Sequence, residues 1–147
     1  MITISTNLLS IGKKQADTNV VVAVSSPSTG CIKKLMEAQQ SIRMHHWLTS
    51  SHAEHKALGE AYEGLDDLID TFVETFIGAK GKGVLSGISG LSLHTEGNCM
   101  EVINTLEAVL RNDIPNEVGD NETALLNIRD EILGLVQKTK YLLTQTK

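Results

Sequence analysis

Between residues 45 and 78 the chain places four of its five histidines and four of its five aromatic side chains. Within and around that stretch, His46, His55, Asp66, Asp70 and Glu74 carry the groups with chemistry to offer. Imidazole nitrogen and carboxylate oxygen are the ligand types used for non-haem iron, with zinc and manganese as competitors. Ferrous iron held by such ligands passes electrons to dioxygen or peroxide when coordination positions stay open. Taken on a helix at about 100° per residue from His55, Asp66 falls at roughly +20°, Asp70 at +60° and Glu74 at +100°. The centre of the apolar stripe, near Leu58, Ile69 and Phe76, falls at about −50°. His55 thus sits just inside the apolar edge, and the three carboxylates run along one flank. They repel one another unless water or a cation neutralises them. Acidic residues beside an apolar stripe are also what any amphipathic helix turns to water.

His46 falls on the apolar side of its own helix, so two imidazoles and several carboxylates are expected to meet where helices, or two subunits, pack. His45 is one helical step away and is read as solvent-facing. His94 is read as an isolated loop residue, and Trp47 as a packing anchor. Nucleophilic chemistry has little support: there is no Gly-x-Ser-x-Gly, neither cysteine has a flanking histidine, and the GAKGKG run lacks the Lys-Ser/Thr ending of a phosphate loop. Cys31 and Cys99 match no zinc spacing and make no disulfide framework. They read as buried or half-buried free thiols in a reducing compartment.

The elements that must position these groups are helical. Leu35, Ile42 and His46 share a stripe in a helix over about 31–49, with Thr29 as its N-cap. The second, over about 52–77, is the clearest: Leu58, Ala61, Tyr62, Leu65, Leu68, Ile69, Phe72, Val73 and Phe76 recur at spacings of three and four. Ser51 with Glu54 makes a capping box, and Gly78 is the expected stop. A glycine-rich connection over 78–97 is long for a loop and is expected to carry a short helix or to pack across the bundle. A third helix covers about 97–112, with Pro115 beyond its end. A fourth covers about 121–145, capped by Asp120 or Asn121. The fold class is all-α: a four-helix bundle over 31–147, whose long middle connection is the mark of a ferritin-like crossover. Residues 1–30 read as an N-terminal extended arm, suited to a partner.

Composition narrows the partners. The net charge is −5 and no long basic run exists, so nucleic acid is not an expected ligand. Lys13 with Lys14, and Lys80 with Lys82, read as solvated lysines. No stretch approaches the ~20 apolar residues of a membrane span, and no secretory leader is recognisable. The expected setting is the cytoplasm, or a virion assembled inside a cell.

These residues resemble a known family. A His-Trp pair (His46-Trp47) ending one helix, His55 opening the next, and Asp70 with Glu74 fifteen and nineteen residues further on look like the Dps group of ferritin-like proteins (DNA-binding protein from starved cells). The run from His46 to Gly78 looks closer still to short ferritin-like proteins of tailed bacteriophages. The resemblance implies an iron site, di-iron or mononuclear, at a dimer interface of a homo-oligomer. His46 and His55 would be nitrogen ligands, and Asp70 and Glu74 oxygen ligands; Asp66 is a further candidate metal ligand from its place on the same flank alone. His55, Asp70 and Glu74 would support ferroxidase activity that protects against oxidative damage. Tyr62 and Trp47 would pack over the site. A second expectation, motivated by the arm, is a non-catalytic structural or adaptor protein, such as a virion component, built on the same bundle.

Overall fold

A computed structural model describes residues 27–145. The arm expected over 1–30 lies outside the described residues except for its last four, which are helical: α1 runs Pro27–Leu48. A proline suits a helix start, where its missing N–H is not needed. The helix therefore begins two residues ahead of Thr29.

After a three-residue link, α2 runs His52–Lys80. Ser51 Oγ accepts from the Glu54 backbone N–H at 3.2 Å, so the serine half of the capping box forms. The return half does not, because the Ser51 N–H goes to Thr49 Oγ1 at 3.1 Å. Such a cap is worth about 1 kcal/mol. Gly78 does not stop the helix. It ends at Gly81, whose φ of 86° is the left-handed conformation that glycine reaches most cheaply.

The long connection holds only one 3-10 turn, Lys82–Leu85, before an irregular stretch leads to α3, Cys99–Ala108. Asn98 caps α3 by accepting from the Glu101 N–H at 3.2 Å. The helical course does not end at residue 112. It widens into one π turn, Val109–Asp113, and continues as α4, Ile114–Val118. In that turn the Ile114 N–H bonds Val109 O, five residues back. Leu110 O is left without an amide, since Pro115 has none to give. Arg129 supplies the missing donor, its Nη1 lying 3.0 Å from Leu110 O. α5 runs Thr123–Thr144 and starts after Glu122 with no side-chain cap, so neither Asp120 nor Asn121 plays that role.

The result is an all-α bundle of four long helical segments, with no strand among the described residues. α2 packs against α1 and α5, α3 packs against the same two helices, and α2 and α3 stand diagonally. A connection between diagonal helices must cross the bundle, which is why it is long. The core is one cluster, built mainly from Leu35, Ile42, Leu58, Leu65, Phe72, Phe76, Leu106 and Ile132. Phe72 and Phe76 meet edge to face at 5.8 Å. Gly64 lets α5 come close: a Cβ there would lie 2.8 Å from a Leu135 methyl. Among the described residues no helix is long and apolar enough to cross a membrane.

Candidate functional site

The short link folds the end of α1 back on the start of α2, and this brings His46 to His55. Their rings stack with centroids 3.8 Å apart and planes 19° from parallel. Each ring also reaches the other residue's backbone. His46 Nδ1 donates to His55 O at 2.7 Å, and His55 Nδ1 donates to His46 O at 2.7 Å. A carbonyl only accepts, so both Nδ1 atoms carry the hydrogen and the neutral tautomer of each ring is fixed. In that tautomer each Nε2 is the atom with the lone pair, and it has no hydrogen-bond partner among the described residues. Ligating histidines characteristically commit their other ring N–H to a backbone carbonyl or a carboxylate in this way.

Gly59 belongs to the same arrangement. A Cβ there would lie 2.9 Å from His46 Cε1 and 3.2 Å from Nδ1. The His46 ring occupies the space that a side chain would need, one turn after His55.

The carboxylates do not join the two rings within one chain. Asp70 and Glu74 follow His55 by fifteen and nineteen residues along one straight helix. At 1.5 Å per residue they are about 22 and 28 Å further along the axis. Both are exposed, a single turn apart, and neither forms an ion pair among the described residues. Asp66 is exposed too and accepts from Gln39 Nε2 at 3.1 Å, a bond between α2 and α1. No group of three or more His, Cys, Asp or Glu that could hold a metal ion gathers among the described residues. The donor types suit a divalent metal, but one chain brings together only the nitrogen half.

Three neighbouring expectations need correction. His45 is not solvent-facing: it is 7% exposed, and its Nε2 donates to His94 O at 3.0 Å. His94 is not isolated, because its N–H also bonds Ser41 Oγ at 2.8 Å. Trp47 is no packing anchor, being 60% exposed. Its ring lies 5.0 Å from the Arg43 guanidinium carbon, with the Tyr62 ring 4.6 Å away. Trp47 and Tyr62 thus flank a cation, a contact worth about 0.5–1 kcal/mol per ring at an exposed site.

Sequence reasoning missed how the long connection is held. Glu37, Ser41 and His45 stand four apart on one face of α1. They bond, in order, the Ser92 N–H at 2.7 Å, the His94 N–H and the His94 carbonyl. Residues 91–95 are thereby strapped along α1. The signal was present as three polar side chains at four-residue spacing on a helix that is otherwise buried there.

The two thiols are buried and free. Burial, with Glu117 close by, pushes the Cys31 thiol far above its usual range. Burial and the Glu54 carboxylate push Cys99 up to about 11. Neither is a poised nucleophile.

Residues 46–143 match a family described as "Family of unknown function (DUF5856)", and the chain belongs to that family. The chain is also 33% identical over 113 residues to a protein of Enterobacteria phage T4, "Uncharacterized 14.6 kDa protein in mobD-ri intergenic region". That similarity covers 75% of this chain and 82% of the phage protein. No solved structure matches.

Proposed function

We propose that this member of the family is a ferritin-like, iron-binding protein of phage origin that takes up and oxidises ferrous iron between two copies of the chain. The observation that carries the reading is the fixed tautomer of His46 and His55. Both Nδ1–H groups are committed to carbonyls, and both Nε2 lone pairs are left for a ligand. The un-neutralised pair Asp70 and Glu74 supplies the oxygen donors, with Asp66 beside them. A second copy laid antiparallel along α2 brings its carboxylates alongside the first copy's imidazoles. The two-fold axis would then pass near the midpoint of His55 and Asp70. Iron is the substrate here. Mixed nitrogen and oxygen ligation favours electron transfer from Fe(II) to dioxygen or peroxide. The protein's part is to hold the donors in register and the imidazoles oriented. Zinc and manganese compete for the same donors. Host cytoplasm and virion are both compatible with the reading.

The test is an aerobic Fe(II) titration followed by ultraviolet absorbance, alongside a His55→Ala/Asp70→Ala variant. Oxidation faster than in buffer, saturating at one or two irons per subunit and lost in the variant, supports the proposal. A trace equal to buffer removes it. Mixing His55→Ala with Asp70→Ala protein should restore part of the activity if the site is shared between copies, since some mixed dimers keep one intact site.

A non-catalytic structural or adaptor role is favoured by a separate observation. Trp47 and Leu48 are exposed together at the helix junction, beside Arg43 and Tyr62. Aromatic residues and arginine dominate protein-binding hot spots. Under this reading, Trp47→Ala/Leu48→Ala abolishes partner binding, whereas an iron protein keeps its metal.

A further inference from the structure

The strap that crosses α1 closes over a groove of about 560 Å³, within the range of small-molecule sites. Its floor is apolar: Ala38 from α1, Val102 and Leu106 from α3, and Val109 from the π turn, all buried. Its rim is acidic. Glu37, Glu96, Glu101 and Asp113 line it, against one lysine, Lys34. That lysine is engaged, with Nζ 2.5 Å from Asp113 Oδ2, an ion pair that raises the lysine's pKa. Glu37 keeps one carboxylate oxygen in the Ser92 bond. Glu37, Glu96 and Glu101 have no ion-pair partner among the described residues.

The groove therefore combines a hydrocarbon-sized apolar floor with a rim carrying three uncompensated negative charges. The backbone around it is specialised. π turns concentrate at functional sites, and this one forms a wall of the groove through Val109 and Asp113. Gly97, at φ 79°, leaves the Glu101 carboxylate its place: a Cβ there would lie 2.5 Å from Glu101 Oε2.

We infer that this groove binds an aliphatic diamine or polyamine, its methylene chain on the floor and its ammonium groups against Glu96, Glu101 and Glu37. The complementarity is of two kinds at once. A metal cation satisfies the rim but not the floor, and a neutral aliphatic molecule satisfies the floor but not the rim. The inference is independent of the imidazole pair and stands or falls without it.

The test uses the full chain and three probes: 1,6-diaminohexane, 1,6-hexanediol and magnesium chloride at matched ionic strength. Binding is read by calorimetry and by methyl chemical shifts of Val102, Leu106 and Val109. The diamine should bind with saturable shifts at those methyls, and the other two probes should bind at least tenfold more weakly. Glu96→Gln/Glu101→Gln should weaken the diamine at least tenfold. Glu60→Gln/Glu63→Gln, an equal charge change on the exposed face of α2, should leave its affinity within twofold. Equal binding of magnesium, or equal loss in the α2 control, would make the attraction a general property of an acidic protein and overturn the site. Absence of saturable methyl shifts would overturn it too. Circular dichroism of each variant confirms that the bundle is intact before affinities are compared.

Discussion

The two connections flanking α2 are held in opposite ways. The link before it is three residues long, and the residues at its ends clasp each other: ring on ring, and each Nδ1–H on the other's carbonyl. The connection after it runs from Gly81 to Asn98 and touches its destination through side chains of another element, Glu37, Ser41 and His45. A short link transmits the geometry of two helix ends directly to the groups upon it. A long one has no geometry of its own and takes what a neighbouring helix gives. The clasp should therefore behave as part of the fold, and the strap as a part that opens without it.

Breaking the clasp should have the largest effect. His46→Ala/His55→Ala removes two hydrogen bonds, each worth about 1 kcal/mol net, together with the ring stack. The expected loss is about 2–3 kcal/mol in urea denaturation, and under the proposed function any iron oxidation is lost with it. Breaking the strap should cost less globally and more locally. Glu37→Ala/Ser41→Ala should lower global stability by about 1 kcal/mol or less. It should speed amide exchange at Ser92 and His94 roughly tenfold, the equivalent of about 1.4 kcal/mol of local opening, with α1 and α2 amides unchanged. A uniform speeding across α1 would show that strap and bundle open as one unit.

Gly59→Ala sharpens the comparison because its stability effect is expected to be near zero. Replacing an interior helical glycine gains about 1 kcal/mol. Displacing the His46 ring from its carbonyl loses about as much. The signature is loss of the slowly exchanging Nδ1–H signals of both rings in proton NMR while melting stays within about 0.5 kcal/mol. The smallest effect belongs to the thiols. The Cys99 thiol ionises near 11 in the fold and near 9.0 when unfolded, so its neutral form is favoured in the folded state. Stability should not depend on it below pH 9 and should fall between pH 9 and 11. Both cysteines should resist a thiol reagent at pH 8 in buffer and react at once in denaturant.

The helices were legible because burial imposes a 3.6-residue period, and the stripe of Leu58, Leu65, Phe72 and Phe76 shows it plainly. His46 and His55 were legible as a pair because each lay at the apolar edge of a helix and the link between the helices was short. His45 was not, because its partner, the His94 carbonyl, lies on the strap, and the strap has no period to read. Trp47 was misread for the reverse reason. It was read as a packing anchor, yet it lies exposed at a helix end, and Arg43 takes its face. The continuation past residue 112 was hidden by Pro115, which ordinarily ends a helix. The residue that makes it tolerable, Arg129, lies in a different helix.

That arginine has a consequence for the order in which the protein acquires its shape. The Leu110 carbonyl has no amide donor within its own helical run, and its donor lies nineteen residues later in the chain. During synthesis the third segment therefore emerges with one bond that cannot yet be made. It is completed only when α5 has followed it out and folded back. The joint between α3 and α4 is thus a lock whose key is made later than the lock. The groove wall formed by Val109 and Asp113 takes its final shape only once α5 is in place.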